Sequence, residues 1–251
     1  MPGAALRCAE AALRSGAGIV DVYTHKENKN LVLNALPEAI VHTYEDGEDV
    51  IHAAKEDLKK ADVIVAGPGL SVSDTAGGII QGILLGDEKK PLVLDADGLN
   101  LLSGHDGLKE ALKAYAKETE VVLTPHPKEL SRLSGIPVQE LLSDYAGNIR
   151  RLAGEWGVIL VGKGNTTLVS NGRKIYYNLS GNDGMATAGS GDVLSGLVGG
   201  FLRNENSVYD AVCLAVYMHG FYADKAAEVF GHRGMLSGDI IGAMKESEQS
   251  V

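Results

Sequence analysis

Short apolar runs recur along the chain, separated by stretches whose apolar residues repeat at helical spacing. The runs predict strands at 18–24, 39–43, 62–66, 91–95, 120–124 and 158–161. Two further alternating segments, 167–169 and 174–177, are joined by Asn171-Gly172, a strong hairpin signal. Helical periodicity covers 3–15, a short piece capped by Asn28, 47–60, 76–85, 107–117, 138–155, 190–203, 208–230 and 237–245. Ser73 or Asp74 is placed to cap the fourth of these, and Thr124-Pro125-His126-Pro127-Lys128-Glu129 opens one more, running to Leu133. Apolar strands alternating with helices indicate an α/β fold with a mostly parallel central sheet covered on both faces, a three-layer α/β/α arrangement. No linker or composition shift interrupts the chain, so a single domain over 1–251 is expected. The pattern opens on a helix with no strand before it, so the numbered sequence is expected to lack an upstream strand and loop.

Composition changes this picture at one point. Glycine is abundant, 32 of 251 residues, nearly twice the usual ~7%. The glycines cluster at predicted strand and helix ends, as in a protein with many tight turns around a ligand. A net charge of −10 leaves no basic stripe for nucleic acid. Ligand phosphates would be held by backbone N–H groups and a few lysines. Cys8 and Cys213 form no disulfide framework, which fits a reducing, cytoplasmic setting. No apolar run reaches membrane-spanning length and no signal peptide precedes the first helix, so no membrane partner is expected.

The most informative stretch is 178–197, which begins polar and glycine-rich and turns apolar. A glycine loop opening a buried helix presents unpaired amides, a ready anion site. Asp192 falls in the first turn of that helix. A carboxylate repels a phosphate, so its place calls for a reason: acting as a base on a substrate hydroxyl, or complementing the helix dipole. Five loops with such chemistry fall at strand ends or helix starts: 67–70, 95–100, 124–129, 162–167 and 188–192. Open α/β sheets bind ligands along that edge. Gly157 to Lys163 fits the first seven positions of a P-loop, but Gly164 replaces the required Ser/Thr and the variable positions read as a strand. No G-x-G-x-x-G follows a strand, which removes the simplest dehydrogenase reading.

Other residues carry two readings each. His126, fixed between two prolines, suits a ligand hydrogen bond or a satisfied, partly buried role. Glu129 reads as a helix N-terminal acid rather than a metal ligand. Asp95 and Asp97 suit either water-mediated magnesium or a turn and cap. Lys163 suits a phosphate partner or a solvated loop lysine. The seven histidines show no zinc spacing.

With these residues in hand, the sequence resembles the NAD(P)H-hydrate dehydratases, the carbohydrate-kinase-like domain of the ribokinase-like superfamily. The resemblance runs through Met1-Pro-Gly-Ala-Ala, Gly67-Pro-Gly-Leu, Leu94-Asp-Ala-Asp-Gly-Leu-Asn, Leu123-Thr-Pro-His-Pro-Lys-Glu, Val161-Gly-Lys-Gly-Asn-Thr-Thr and Gly181-Asn-Asp-Gly-Met-Ala-Thr-Ala-Gly-Ser-Gly-Asp. It implies a ribokinase-like α/β/α fold and repair of the S-epimer of hydrated NADH or NADPH with ADP (bacterial and archaeal members) or ATP (eukaryotic ones). It also implies Mg²⁺, no protein-held metal ligands, and a homotetramer. Lys163, Gly164, Asn165, Thr166, Thr167 and Gly191 would contact the adenosine nucleotide. Ala4, Gly69, His126 and Asp192 would contact the hydrated cofactor, with Asp192 as the base. Lys128, Asp183 and Ala188 replace the family's more usual glycine, proline and glycine. The epimerase half often fused to this domain is absent, so epimerisation is not predicted. The alternatives are a small-molecule kinase of the same fold, acting on a thiazole or hydroxymethylpyrimidine alcohol, and a catalytically silent nucleotide-binding subunit.

Overall fold

A computed structural model of the chain describes residues 2–202 and 207–247. Met1, from the first motif, and residue 203, at the expected end of the 190–203 helix, lie outside the described residues. Contacts divide the chain into two compact units, Met1–Thr43 with Asn178–Val251, and Tyr44–Tyr177.

The first unit starts with α1 (Pro2–Arg14), β1 (Asp21–His25), α2 (Lys29–Ala35) and β2 (Ile40–Tyr44), the two strands forming a small sheet of their own. Asn28 sits at the start of α2 but makes no side-chain cap; its amide donates to Thr24 Oγ1 at 3.1 Å instead.

The second unit carries α3 (Val50–Ala53), α4 (Lys55–Lys60), β3 (Ile64–Ala66), α5 (Asp74–Leu85), β4 (Leu92–Leu94), α6 (Asp97–Gly104) and α7 (Asp106–Tyr115). It continues with β5 (Val121–Leu123), α8 (Pro127–Ser134), α9 (Val138–Ser143), α10 (Tyr145–Trp156), β6 (Ile159–Gly162), β7 (Leu168–Ser170) and β8 (Ile175–Tyr177). Its sheet runs in the order β3-β4-β5-β6-β7-β8. The β3–β4, β4–β5 and β5–β6 pairings are parallel, with Ile64 opposite Leu92, Leu92 opposite Val121 and Val122 opposite Ile159. The β6–β7 and β7–β8 pairings are antiparallel. The parallel strands are apolar because both faces are covered: Leu92, Val93, Leu94, Val122, Leu123 and Leu160 are fully buried. Each such side chain contributes roughly 1.5–3 kcal/mol over exposure.

The strands fall where the pattern places them; three predicted helices depart from it, and α6 lies where no helix is expected. The 47–60 stretch is two helices meeting at Ala54. The 138–155 stretch breaks at Asp144, whose carboxylate accepts from the Gly147 amide at 3.0 Å and so starts a new helix rather than continuing the old one. The 208–230 helix extends further, as given below. The hairpin follows Asn171-Gly172, but its loop takes four residues between Ser170 and Ile175; Asn171 Oδ1 accepts from the Arg173 and Lys174 amides at 3.1 and 2.9 Å.

The chain returns to the first unit with α11 (Ser190–Phe201), α12 (Val208–Gly234) and α13 (Ser237–Ser247). The α12 helix is broken near its end at Gly231, whose φ is +68°. The alanine-rich α1 lies against α11, where Gly196 and Gly200 face the backbone and small side chains of Cys8, Ala11, Ala12 and Ser15. No helix among the described residues is long and apolar enough to cross a membrane.

Candidate active site

In the second unit, parallel register puts the carboxyl ends of β3, β4, β5 and β6 on one edge. Four of the five candidate loops leave that edge: 67–70, 95–100, 124–129 and 162–167. They are tied to one another by specific bonds. The Ser71 amide donates to Asp97 Oδ2 at 2.8 Å, joining the first loop to the second. Lys163 Nζ donates to Asp95 Oδ1 at 2.7 Å, joining the fourth to the second. The Lys163 amide donates to the Pro125 carbonyl at 2.9 Å, joining the fourth to the third. Tyr145 Oη donates to the Lys163 carbonyl at 3.0 Å, and burial pushes the Tyr145 phenol above its usual range, so it stays a donor.

Local backbone strain accompanies this network. Ala96 has φ +47° and ψ −116°, and Ser71 has φ +69°. Non-glycine residues rarely adopt these values and hold them only when the surroundings enforce them. The Ala96 turn lets Asp95, 1% exposed, reach Lys163 while Asp97 starts α6 and faces Ser71. Gly67 makes room beneath it: its φ is +119°, and a side chain there would overlap the Asp95 carbonyl and approach the Gly98 amide to 2.8 Å. The 95–100 stretch is thus half loop and half helix, where the sequence pattern reads it as a loop.

His126 is the N-cap of α8. Its Nδ1 accepts from the Lys128 and Glu129 amides at 3.1 and 3.2 Å, and Glu129 Oε2 accepts from the His126 amide at 2.8 Å, a reciprocal capping box. An Nδ1 that accepts twice leaves the proton on Nε2, which then donates. Burial, helped by the charges of Lys163 and Arg132, holds the His126 pKa below the ordinary histidine value. The folded state binds this proton less readily than the unfolded chain does, so stability contributed here is full above about pH 6.5 and declines on acidification below it. His126→Asn keeps a good cap without the titration. The stability gap between wild type and this variant, followed by urea denaturation from pH 8 to 5, is expected to be flat above about pH 6.5 and to move against wild type below it. A gap independent of pH contradicts this assignment.

The fifth loop belongs to the first unit. Asp224 of α12 accepts from the Gly181 amide at 2.8 Å and from Asn182 Nδ2 at 2.9 Å. Asn182 Oδ1 then accepts from the Gly184 amide at 3.0 Å, starting a single 3₁₀ turn, and Asp183 pairs with His232. Gly189 caps α11 with φ +91°; a Cβ there would lie 2.5 Å from Ser237 Oγ. Asp192 sits half-buried in the first turn of α11, as the pattern predicts. Ser190, buried at the first helical position, lies 3.4 Å from Nε2 of the buried His219. The first-turn amides of such a helix lack intrahelical acceptors and favour negative charge.

The residues implied by the resemblance therefore divide between the units. Ala4 (buried in α1), Gly191 and Asp192 belong to the first. Gly69, His126, Lys163, Gly164, Asn165, Thr166 and Thr167 belong to the second, with 164–166 exposed. Lys163 is not a solvated loop lysine: it is paired with Asp95 and lies 3.8 Å from Glu129 Oε2. Asp95 is paired with Lys163, and Asp97 keeps its charge while accepting from the Ser71 amide. Among the described residues neither belongs to a cluster of three metal-binding side chains. Asp95 and Glu129 are the residues whose role the sequence pattern understates. The H-x-x-E spacing could have marked Glu129 as a capping partner of His126.

A family profile described as NAD(P)H-hydrate dehydratase matches residues 1–246. The chain is 40% identical over 96% of its length to the bifunctional NAD(P)H-hydrate repair enzyme of Coxiella burnetii, covering 46% of that protein. It is 36% identical over 98% of its length to the ADP-dependent (S)-NAD(P)H-hydrate dehydratase of Neisseria meningitidis, covering 80% of it. The chain thus spans about half the length of the bifunctional relatives it matches. Its fold is similar to a ribokinase-like superfamily protein from Enterococcus faecalis, with a TM-score of 0.83 at 29% identity, 98% of this chain and 82% of that one. A Bacillus subtilis ADP/ATP-dependent NAD(P)H-hydrate dehydratase, co-crystallised with ATP and Mg²⁺, gives a TM-score of 0.80 at 29% identity over 99% and 87% of the two chains. With a ribokinase-like α/β fold, a glycine-capped helix bearing Asp192 and a profile match over nearly its whole length, the chain belongs to the NAD(P)H-hydrate dehydratase family.

Proposed function

We propose that this chain is a lyase that dehydrates the S-epimer of hydrated NADH or NADPH at the expense of ADP or ATP. The observation that carries the reading is the start of α11: a left-handed Gly189 cap, the first-turn amides, and a half-buried Asp192 among them. Amides alone would serve any anion. A carboxylate in the same turn adds a proton acceptor, which a phosphoryl transfer to an alcohol requires.

The chemistry follows in balanced steps. Asp192 takes the proton of the hydroxyl on nicotinamide C6. The freed oxygen attacks the terminal phosphorus of the nucleotide, displacing AMP from ADP or ADP from ATP. The ring nitrogen's electron pair then expels phosphate as the C6–O bond breaks, and loss of the C5 proton restores the double bond. Amides at the start of α11 stabilise the oxygens of the transferring group. In this reading Lys163 to Thr167 and Gly191 contact the nucleotide, and Ala4, Gly69 and His126 contact the hydrate, His126 donating through Nε2–H. Mg²⁺ supplies charge neutralisation on the nucleotide's own phosphates. Residues 1–251 act as one catalytic domain, cytoplasmic and assembled as a homotetramer. The kinase alternative is less favoured, because relatives at 36% and 40% identity carry dehydratase or hydrate-repair names.

Incubation with hydrated NADH, Mg²⁺ and ADP or ATP tests the reading. Absorbance at the reduced-nicotinamide band is expected to recover in proportion to nucleotide consumed. No recovery with either nucleotide, or phosphorylation of a thiazole or pyrimidine alcohol instead, contradicts it.

A further inference from the structure

Glu129 makes more contacts than a capping glutamate needs. Oε2 accepts from the His126 amide at 2.8 Å and also lies 3.8 Å from Lys163 Nζ. Oε1 lies 3.5 Å from His126 Nε2, the ring atom left free to donate. The residue is only 6% exposed. Burying a carboxylate is costly unless it is paired and hydrogen-bonded. Burial accordingly pushes its pKa up, and the Lys163 charge opposes that shift. The Lys163 ammonium is in turn shared with the buried Asp95. One carboxylate therefore touches the side chain that the proposed function gives to the hydrate and the side chain it gives to the nucleotide.

We propose, resting on that reading, that Glu129 is a positioning residue that couples the two ligands by holding His126 and Lys163 on a single buried carboxylate. The coupling runs both ways. A ligand that accepts from His126 Nε2 removes the competing pull of that ring on Oε1 and leaves Glu129 more available to Lys163. A nucleotide that draws Lys163 away leaves Glu129 with less counter-charge and strengthens the pull of Oε1 on His126 Nε2–H, in competition with the other ligand. Neither effect needs the ligands to touch.

Calorimetric ADP binding, with Mg²⁺ present and no reduced cofactor, tests this without turnover. His126→Asn retains a good cap, so α8 keeps its start. Although His126 is assigned to the other ligand, this variant is expected to change the ADP dissociation constant about fivefold, the range of directly coupled pairs. In a Glu129→Gln background the same substitution is expected to change it by less than about twofold. Should Glu129→Gln fail to fold, Lys163→Met takes its place, since removing the ammonium must abolish the cross-effect equally. A His126→Asn protein with wild-type ADP affinity overturns the proposal and leaves the functional reading standing. So does a cross-effect that persists in both backgrounds. A wild-type protein that binds no ADP overturns both.

Discussion

Replacing Asp192 by Asn is expected to lower kcat by about a thousandfold while ADP affinity changes by less than about threefold, as removal of a general base does. Asn has the same shape and still complements a helix start, so the helix and its amides stay in place. What it loses is the ability to take a proton. The competing account, in which Asp192 only offsets the helix dipole, predicts a stability change of about 1 kcal/mol or less and retained turnover. Steady-state recovery of reduced nicotinamide, alongside a urea melt of both proteins, separates the two. A variant with near-wild-type kcat contradicts the assignment of Asp192 as base.

The second large effect is structural. A side chain at Gly196 would overlap the Cys8 carbonyl and come within 2.8 Å of Ala11 Cβ, and one at Gly200 would approach Ala12 O to 3.1 Å while overlapping Ser15. Glycines four apart on α11 thus let two backbones meet, with alanines of α1 opposite. Gly196→Val must push the helices apart and open the core around the fully buried Val193, Leu197 and Ala11. Overpacking against backbone is expected to cost about 3 kcal/mol or more, read as a fall in the urea midpoint. Because α11 also carries Asp192, activity should fall with it. Gly242→Ala provides the contrast: it sits inside α13 with nothing within 4 Å of a new methyl. There the change is expected to be neutral or stabilising by up to about 1 kcal/mol. Equal midpoints for Gly196→Val and wild type contradict the close α1–α11 packing.

Much of this architecture is legible in the chain because period and turn chemistry agree. The four parallel strands are apolar runs ended by Gly, Asp or Thr, and buried strands need no alternation to be recognised; the last two are alternating segments found through Asn171-Gly172. Asp192 is legible for a similar reason: Gly189 and Gly191 mark a helix start, and a carboxylate follows at once. Helix interruptions are less visible. Asp144 sits in an otherwise helical pattern, and whether it continues that helix or caps the next depends on its rotamer, which periodicity does not encode. The start of α6 is hidden because Asp95-Ala96-Asp97-Gly98 has the composition of a turn; the turn is real but ends at the strained Ala96.

Least legible is the environment of Lys163. Its partner Asp95 lies 68 positions away, and only the parallel register of β4, β5 and β6 brings their loops together. The pattern leaves Lys163 as either phosphate partner or solvated lysine. The fold gives it two carboxylate neighbours, Asp95 and Glu129.

The decisive question is where the phosphoryl group goes. A crystal structure of the protein with Mg²⁺, ADP and reduced cofactor bound addresses it most directly. The account predicts a terminal phosphate within hydrogen-bonding distance of the Gly191 amide and nicotinamide C6 facing the Asp192 carboxylate. Nucleotide phosphates held away from the start of α11, with Asp192 facing neither ligand, would contradict it.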